Sequence, residues 1–356
     1  MIDGLDGAHV LIVGGTGSLG QRLFYRLLEN EVGAPASITV FSRDEAKQHY
    51  MRLAFLQQAS ATDDVIYRQS ADRVRFVIGD VRRYPDVKLA TDRADVIFHA
   101  AALKQVPTCE YFPSAAVDTN VDGAVNLTRA LRGGAHTAKT VVGVSTDKAC
   151  KPVNVMGMTK ALQERILAQA NLDAPWVRLV NVRYGNVMAS RGSAIPYFID
   201  LVRQGKPIPI TDSRMTRFLM TLNRSVDLIF AALRVANPGE TFIPMVPSAL
   251  VTDIARAVAG DEEYPLLYTT IRPGEKLDEI LISEEEQPRT VYREPNLVIL
   301  PVLPELRSAD HLGGEPPFPG EYSSGRNTLP YAEVCALLTT HKLTAALAPA
   351  GKEVYV

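Results

Sequence analysis

An apolar run, His9–Val13 (HVLIV), leads directly into Gly14-Gly15-Thr16-Gly17-Ser18-Leu19-Gly20. The next stretch, Gln21–Leu28, places Leu23, Phe24, Leu27 and Leu28 on one helical face. The apolar run suits a buried parallel strand, because such a strand is covered on both faces. The loop satisfies G-x-G-x-x-G through Gly15, Gly17 and Gly20, and G-x-x-G-x-x-G through Gly14, Gly17 and Gly20. Strand, glycine turn and helix in that order leave few folds open. The turn lets backbone approach closely, and the helix N–H groups and dipole then face a pyrophosphate. Further strand-like runs follow at Ser37–Phe41, Val74–Ile78, Val96–Ala100, Thr140–Val144 and Val177–Val182, with helical stretches such as Ala124–Leu131 and Met158–Ala168 between them. That alternation implies βαβ units and a doubly wound α/β parallel sheet.

From about Ser190 the pattern loosens into proline-punctuated segments, Lys206–Thr211 and Ile271–Lys276 among them, which suits a smaller substrate lobe outside the sheet. Gly313–Gly325 reads as loop ahead of a helix at Tyr331–Leu338. The 356 residues suggest about two domains, or one with a smaller lobe. With 38 Lys+Arg against 40 Asp+Glu, the chain lacks the basic excess of a protein held by nucleic-acid phosphates. No apolar run nears the roughly 20 residues of a membrane span. No charged-then-apolar leader opens the sequence, so the expectation is a cytoplasmic chain without a membrane partner. Cys109, Cys150 and Cys335 are too few and too scattered for a disulfide framework or a zinc site, and no metal is expected.

The second strand ends Phe41-Ser42-Arg43-Asp44. An acidic residue at this point suits a ribose 2′-hydroxyl and an arginine suits a 2′-phosphate, so Ser42 and Arg43 favour NADP over NAD. The alternative for Arg43 is a surface pair with Asp44 or Glu45. Asp80 and Val81 end the third strand, where a carboxylate can accept from an adenine amino group. Ala100, Ala101 and Ala102 end the fourth, small enough for a cofactor to lie flat. His99 reads as a packing or hydrogen-bonding residue, since nothing stands at ligand spacing from it.

The fifth strand runs into Ser145-Thr146-Asp147-Lys148, and a helix then carries Met156-Gly157-Met158-Thr159-Lys160. The Met156–Lys160 spacing puts both on one helical face, in the place where short-chain dehydrogenases carry Tyr-x-x-x-Lys. A thioether has no proton to exchange. Asp147 and Lys148, an acid beside an amine, supply acid–base capacity instead.

These residues carry a resemblance. The chain resembles the extended short-chain dehydrogenase/reductases, and more closely the soluble UDP-N-acetylglucosamine 4,6-dehydratases of bacterial surface-sugar pathways. The matching blocks are GGTGSLG (Gly14–Gly20), FSRDEAKQ (Phe41–Gln48), GDVR (Gly79–Arg82), HAAALKQVP (His99–Pro107), TNVDGAVN (Thr119–Asn126), STDKA (Ser145–Ala149), PVNVMGMTKA (Pro152–Ala161), VRYGNVMASRGS (Val182–Ser193), ITDSRMTRF (Ile210–Phe218) and IRPGEKLDE (Ile271–Glu279).

The resemblance implies a Rossmann-like fold with a smaller carboxy-terminal substrate lobe. Residues 1–185 would hold NADP and the catalytic groups, 186–312 mainly the nucleotide sugar with some segments returning to the sheet, and 313–356 a loop and terminal helix. It implies hydride loss from sugar C4, removal of the C5 proton, expulsion of the C6 hydroxyl as water, and hydride return to C6. By position Lys148 is the base at C5, Asp147 the acid at O6, Thr146 a contact near O4, and Lys160 the group that orients the ribose and supplies positive charge. Asn120 falls among the cofactor-binding positions. Lys104 matches a position lining the sugar pocket, and Asn186, Arg191, Arg217, Arg272 and Glu275 match positions gripping the UDP moiety. Arginine forks suit a diphosphate. Many relatives keep tyrosine where this chain has Met156; a subgroup with methionine contains both C5-inverting and C5-retaining enzymes. The segment Gln57–Arg73 is longer than in smaller relatives and reads as a surface insertion. The resemblance also implies a homo-oligomer. A 4-epimerase and a non-catalytic NADP-binding protein stand as the competing readings.

Overall fold

A computed structural model describes residues 4–55, 73–133, 136–190, 193–271, 274–307 and 317–348. Nearly all of the Gln57–Arg73 insertion lies outside these, as do Arg191 and Arg272. Strands β1 (His9–Val13), β2 (Ser37–Ser42), β3 (Val74–Ile78), β4 (Val96–His99), β5 (Thr140–Thr146) and β6 (Arg178–Tyr184) form the parallel part of a nine-stranded sheet in the order 3-2-1-4-5-6. That is the doubly wound dinucleotide-binding order, with its switch point between β1 and β4.

Three later strands extend this sheet. Strand β9 (Thr241–Pro244) runs parallel to β6, and an antiparallel hairpin of β13 (Thr290–Arg293) and β14 (Asn296–Ile299) completes the edge. Side-chain alternation along β1 explains the two layers. Val10 and Ile12 face helices α1 (Ser18–Leu28) and α9 (Leu222–Val235), while Leu11 and Val13 face α3 (Tyr84–Thr91), α6 (Gly123–Arg132) and α7 (Val155–Asp173). The remaining helices are α2 (Glu45–Phe55), α4 (Val106–Tyr111), α5 (Pro113–Ala116), α8 (Ala194–Arg203), α10 (Val251–Ala259) and α11 (Tyr331–Thr340), and short strands β8 (Thr216–Phe218), β10 (Ser248–Leu250) and β11 (Leu266–Tyr268) lie outside the main sheet.

A second apolar core gathers α8, α10, α11 and the short strand β7 (Ile208–Ile210) around Phe198, Ile208, Ile254 and Leu338. The observed elements correct several sequence boundaries. α7 starts three residues before the expected Met158, because Asn154 caps it: its Oδ1 accepts from the Gly157 N–H at 2.8 Å. β5 and β6 each run two residues further than their apolar stretches, to Thr146 and Tyr184, because they pair with one another up to that point. Residues 317–325 are not all loop. Tyr322–Ser323 forms β15, antiparallel to β12 (Ile280–Ile282). Among the described residues no helix is long and apolar enough to cross a membrane.

Candidate functional site

The carboxyl ends of β1, β2, β4, β5 and β6 open onto one cavity of about 670 Å³. The glycine loop forms its floor. Gly14 has φ +83°, and a Cβ there would lie 2.6–2.9 Å from the backbone of Ala100 and Ala101. Only glycine permits that approach, so β1 and β4 close to form a cradle bare of side chains. Thr16, Gly17, Ser18, Leu19 and Gly20 line it, and α1 begins at Ser18 with its amino terminus toward the cavity.

The predicted cofactor positions divide into wall and support. Ser42, Arg43, Asp80, Val81, Ala100, Ala101 and Ala102 lie in the wall. Arg43 is exposed at the rim, and Asp44 takes its ion pair from Lys47 at 2.7 Å rather than from Arg43, the alternative to a phosphate-binding role. Lys47, also a wall residue, brings a second cation to this rim that sequence reading missed; its place one helical turn after Asp44 was the available signal. The Ser42 hydroxyl accepts from Gln48 Nε2 at 3.0 Å. Asp80 is gripped by Arg82, whose Nε lies 2.9 Å from Oδ2, and this holds its carboxyl below the ordinary range.

Asn120 stands behind the wall. It is fully buried, receives the Leu103 N–H at 2.8 Å and donates to Leu103 O at 3.0 Å and Thr159 Oγ1 at 2.9 Å. It therefore fixes the loop after β4 against α7 and turns no group to the cavity. His99 packs with neither ring nitrogen hydrogen-bonded, and burial lowers its pKa to about 3, so it stays neutral. Among the described residues no cluster of His, Cys, Asp or Glu could hold a metal ion.

At the far end of the cavity Thr146 closes β5, and Asp147–Ala149 makes one tight helical turn. Gly157 makes room for α7 against this turn: a Cβ there would come within 2.1 Å of the Lys148 carbonyl oxygen. The Asp147 side chain is buried, 1% exposed, and its Oδ1 accepts from Thr146 Oγ1 at 2.8 Å and Lys148 Nζ at 3.2 Å. Its Oδ2 has no protein partner. Lys148 Nζ also lies 3.2 Å from Oε1 of Glu279, a buried residue from the distant segment before β12. Arg217 Nε approaches the same oxygen at 3.6 Å. Burial, opposed only in part by Lys148, raises the Asp147 pKa. Burial also opposes charge on Lys148, but Asp147 and Glu279 outweigh it and raise the pKa. Burial acts against Glu279 as well, yet Lys148 and Arg217 prevail and keep it ionised.

Met156 and Lys160 line the same cavity. Met156 packs with Cys109 and Ala116, with no hydroxyl in the place of the phenol. Lys160 is buried, donating to Val144 O at 2.6 Å and Gln163 Oε1 at 2.5 Å. Burial lowers its pKa to about 7, so the positive charge expected of Lys160 is only partly present at neutral pH. Lys104, exposed at the rim, and Asn186 also line the cavity. Arg217 and Glu275 do not. Arg217 donates to the carbonyls of Thr216 at 2.6 Å and Leu277 at 3.0 Å, behind the acid–base cluster, and Glu275 lies half-buried between Gly274 and Lys276. The sequence-derived UDP grip is thus gathered only through Asn186 among the described residues.

The cavity fits a dinucleotide with a second polar ligand. Thr119, Ser145, Asn186 and Ser193, all in the wall, each carry a buried side-chain oxygen with no protein partner, and buried polar atoms are rarely left so unless a ligand or water meets them.

Known proteins share this architecture. UDP-glucose 4-epimerase of Rickettsia massiliae is 41% identical over 296 residues, covering 80% of this chain and 82% of its own. The X-ray structure of Pen from Bacillus thuringiensis superposes with a TM-score of 0.82 at 30% identity, over 96% of this chain and 99% of that one. DesIV, a dTDP-glucose 4,6-dehydratase from Streptomyces venezuelae solved with NAD bound, matches in fold with a TM-score of 0.62 at 20% identity, over 76% of this chain and 86% of its own. A model of the family described as polysaccharide biosynthesis protein matches residues 10–300, so the chain belongs to that family and has the fold of the nucleotide-sugar-modifying short-chain dehydrogenase/reductases.

Proposed function

We propose that the protein is a nucleotide-sugar 4,6-dehydratase that converts UDP-N-acetylglucosamine to a UDP-4-keto-6-deoxy-N-acetylhexosamine, with NADP as its preferred cofactor. The observation that carries this reading is the pair of buried Asp147 and partly exposed Lys148 on the cavity wall, beside a methionine that cannot exchange a proton. The glycine cradle would hold the cofactor diphosphate, with Ser42, Arg43 and Lys47 at the adenosine ribose; Arg43 and Lys47 would match a 2′-phosphate. A nicotinamide held there would supply a reversible hydride acceptor for sugar C4 and C6, so no outside reductant would be consumed.

The chain's own residues do the rest. Once C4 is a ketone, its electron-withdrawing carbonyl acidifies the neighbouring C5–H. The raised pKa leaves only a minority of Lys148 neutral, and in that form Nζ takes the proton, the C–H electron pair becomes the C5–C6 double bond, and the C6–O bond breaks. Asp147 gives its proton to the departing oxygen, which leaves as water, and C5 regains a proton, from the Lys148 ammonium or from solvent, as hydride reaches C6. Its raised pKa keeps an acid available for this step, and Oδ2, without a protein partner, is the free edge. Thr146 holds Asp147 through its hydroxyl at 2.8 Å and lies where it can meet sugar O4.

The name borne by the Rickettsia relatives favours a second reading, 4-epimerisation, which keeps the C4 oxidation and omits elimination. Incubation with UDP-N-acetylglucosamine, without added reductant, separates the two by mass spectrometry. The dehydratase gives a product lighter by one water, and the epimerase gives an isomer of unchanged mass. In Lys148→Ala, water loss should stop while cofactor stays bound. Normal turnover by that variant removes Lys148 from the base role. Running the reaction in heavy water and following C5 by NMR reports whether C5 is inverted.

A further inference from the structure

The acid–base pair has a third member that no reading of residues 145–160 could supply. Glu279 sits 131 residues from Lys148 in sequence, yet its Oε1 is as close to Lys148 Nζ as Asp147 Oδ1 is, 3.2 Å in both cases. Lys148 is therefore held between two buried carboxylates. The Glu279 backbone is pinned and one of its carboxylate oxygens is paired, while Oε2 has no protein partner. Its N–H donates to Ser324 Oγ at 2.9 Å, its carbonyl accepts from the Ser324 N–H at 2.8 Å, and Arg217 Nε stands 3.6 Å from the carboxylate. Next door, Thr216 Oγ1 lies 2.6 Å from Asp278 Oδ1. This anchoring exceeds what a surface ion pair needs, and with Glu279 buried and Lys148 only partly exposed their attraction is stronger than in bulk water.

We infer that Glu279 is the positioning residue of the Lys148 base: its carboxylate, anchored by Arg217, fixes the amine against Asp147 and stabilises the ammonium that forms when the amine takes a proton. This rests on the dehydratase reading for the identity of the proton, which leaves sugar C5 as the new N–H bond forms. The electron pair stays on carbon to make the double bond, and Glu279 neither gains nor loses a proton. A preorganised negative charge next to developing positive charge lowers the barrier without reorganising during the step. The charged groups facing the cluster are Asp147, Lys148, Arg217, Glu279 and Lys276, whose Nζ donates to Cys150 O at 2.7 Å.

The test compares wild type, Glu279→Gln and Glu279→Asp. The amide keeps shape and loses charge, so both limbs of the pH–rate profile should move to lower pH by about one unit, the scale of a charge removed at this distance. Peak turnover should fall with little change in KM, and Glu279→Asp should return the limbs toward their wild-type positions. A Glu279→Gln profile that keeps its limbs overturns the inference, even if the rate falls, because a packing defect lowers rate without moving limbs. A readout independent of sugar chemistry separates this failure from failure of the dehydratase reading. The Lys148 amine, marked by reductive ¹³C-methylation and assigned against Lys148→Arg, should titrate about one unit lower by NMR in Glu279→Gln. An unchanged midpoint overturns the role of Glu279 whatever the substrate, whereas a shifted midpoint in a protein that forms no dehydrated sugar supports the Glu279–Lys148 coupling and rejects the reaction.

Discussion

Two buried ion clusters pin the same carboxy-terminal segment to the sheet, and they are built differently. In the first, Arg183 on β6 is sandwiched between Glu164 on α7 and Glu286. Its Nη2 lies 2.6 Å from Glu164 Oε2, its Nη1 lies 2.7 Å from Glu286 Oε2, and a further bond goes to Leu281 O at 2.9 Å. Both carboxylates are met by the guanidinium fork, and none of their oxygens is left unpaired. In the second, Lys148 is a single ammonium serving Asp147 and Glu279, and each carboxylate keeps one buried oxygen without a partner. Only the second borders the cavity. A saturated cluster has no bonding capacity to offer a ligand and serves packing. An under-satisfied one carries a standing cost of desolvation that a substrate hydroxyl or a moving proton can relieve. The Arg183 cluster, by fixing Leu281 and Glu286, keeps the neighbouring Glu279 in reach of Lys148.

The contrast is sharpest in paired substitutions. Asp147→Asn should cut turnover by roughly a hundred- to ten-thousand-fold, the usual contribution of a positioned acid. It should leave thermal stability unchanged or higher, since a buried, partly unpaired carboxyl is replaced by a neutral amide of the same shape. Arg183→Met should do the reverse in kind, removing about 3–5 kcal/mol of stability by leaving two buried carboxylates unpaired. Denaturant melts and single-turnover rates on both variants check the division. Equal losses of stability would erase the distinction between the clusters.

A smaller effect concerns Lys160. Its folded pKa of about 7 lies well below the ordinary lysine value of 10.5, so between those two pH values the unfolded chain binds the extra proton. Stability from this group therefore rises with pH across that window, and its penalty is complete below pH 7. Relative to wild type, Lys160→Met should gain stability by up to about 4 kcal/mol on going from pH 10 to pH 6, whatever constant loss it suffers from the Val144 and Gln163 bonds. A difference independent of pH in chemical melts would show that the ammonium is not disfavoured by burial. The smallest effect is at the rim: Arg43→Ala should weaken NADP about tenfold relative to NAD in fluorescence titrations, the scale of one exposed phosphate contact. An unaltered ratio would pass the role to Lys47.

Much of this was legible in the chain itself. The glycine loop, the β5 terminus and the Asp147–Lys148 pair are local: strand periodicity and turn chemistry place them within a few residues of one another, and the parallel sheet follows from alternation of strands and helices. The resemblance places Asn120 and Arg217 among ligand contacts, and the structure adds that their side chains bond Leu103 and Thr159 in one case and Leu277 and Glu279 in the other. The role of Glu279 was hidden even though the last residue of IRPGEKLDE stood in plain view. Nothing in sequence spacing says which residue of a lobe meets Lys148 across 131 positions.

The sequence by itself determined the dinucleotide cradle and the acid–amine pair, because covalent neighbours and short-range backbone sterics fix such features before the chain folds. Tertiary structure decided which charges are buried together, which oxygens stay unpaired and how strongly the Lys160 amine resists protonation. Those properties depend on desolvation and on distances of a few ångströms between segments that only packing brings into contact.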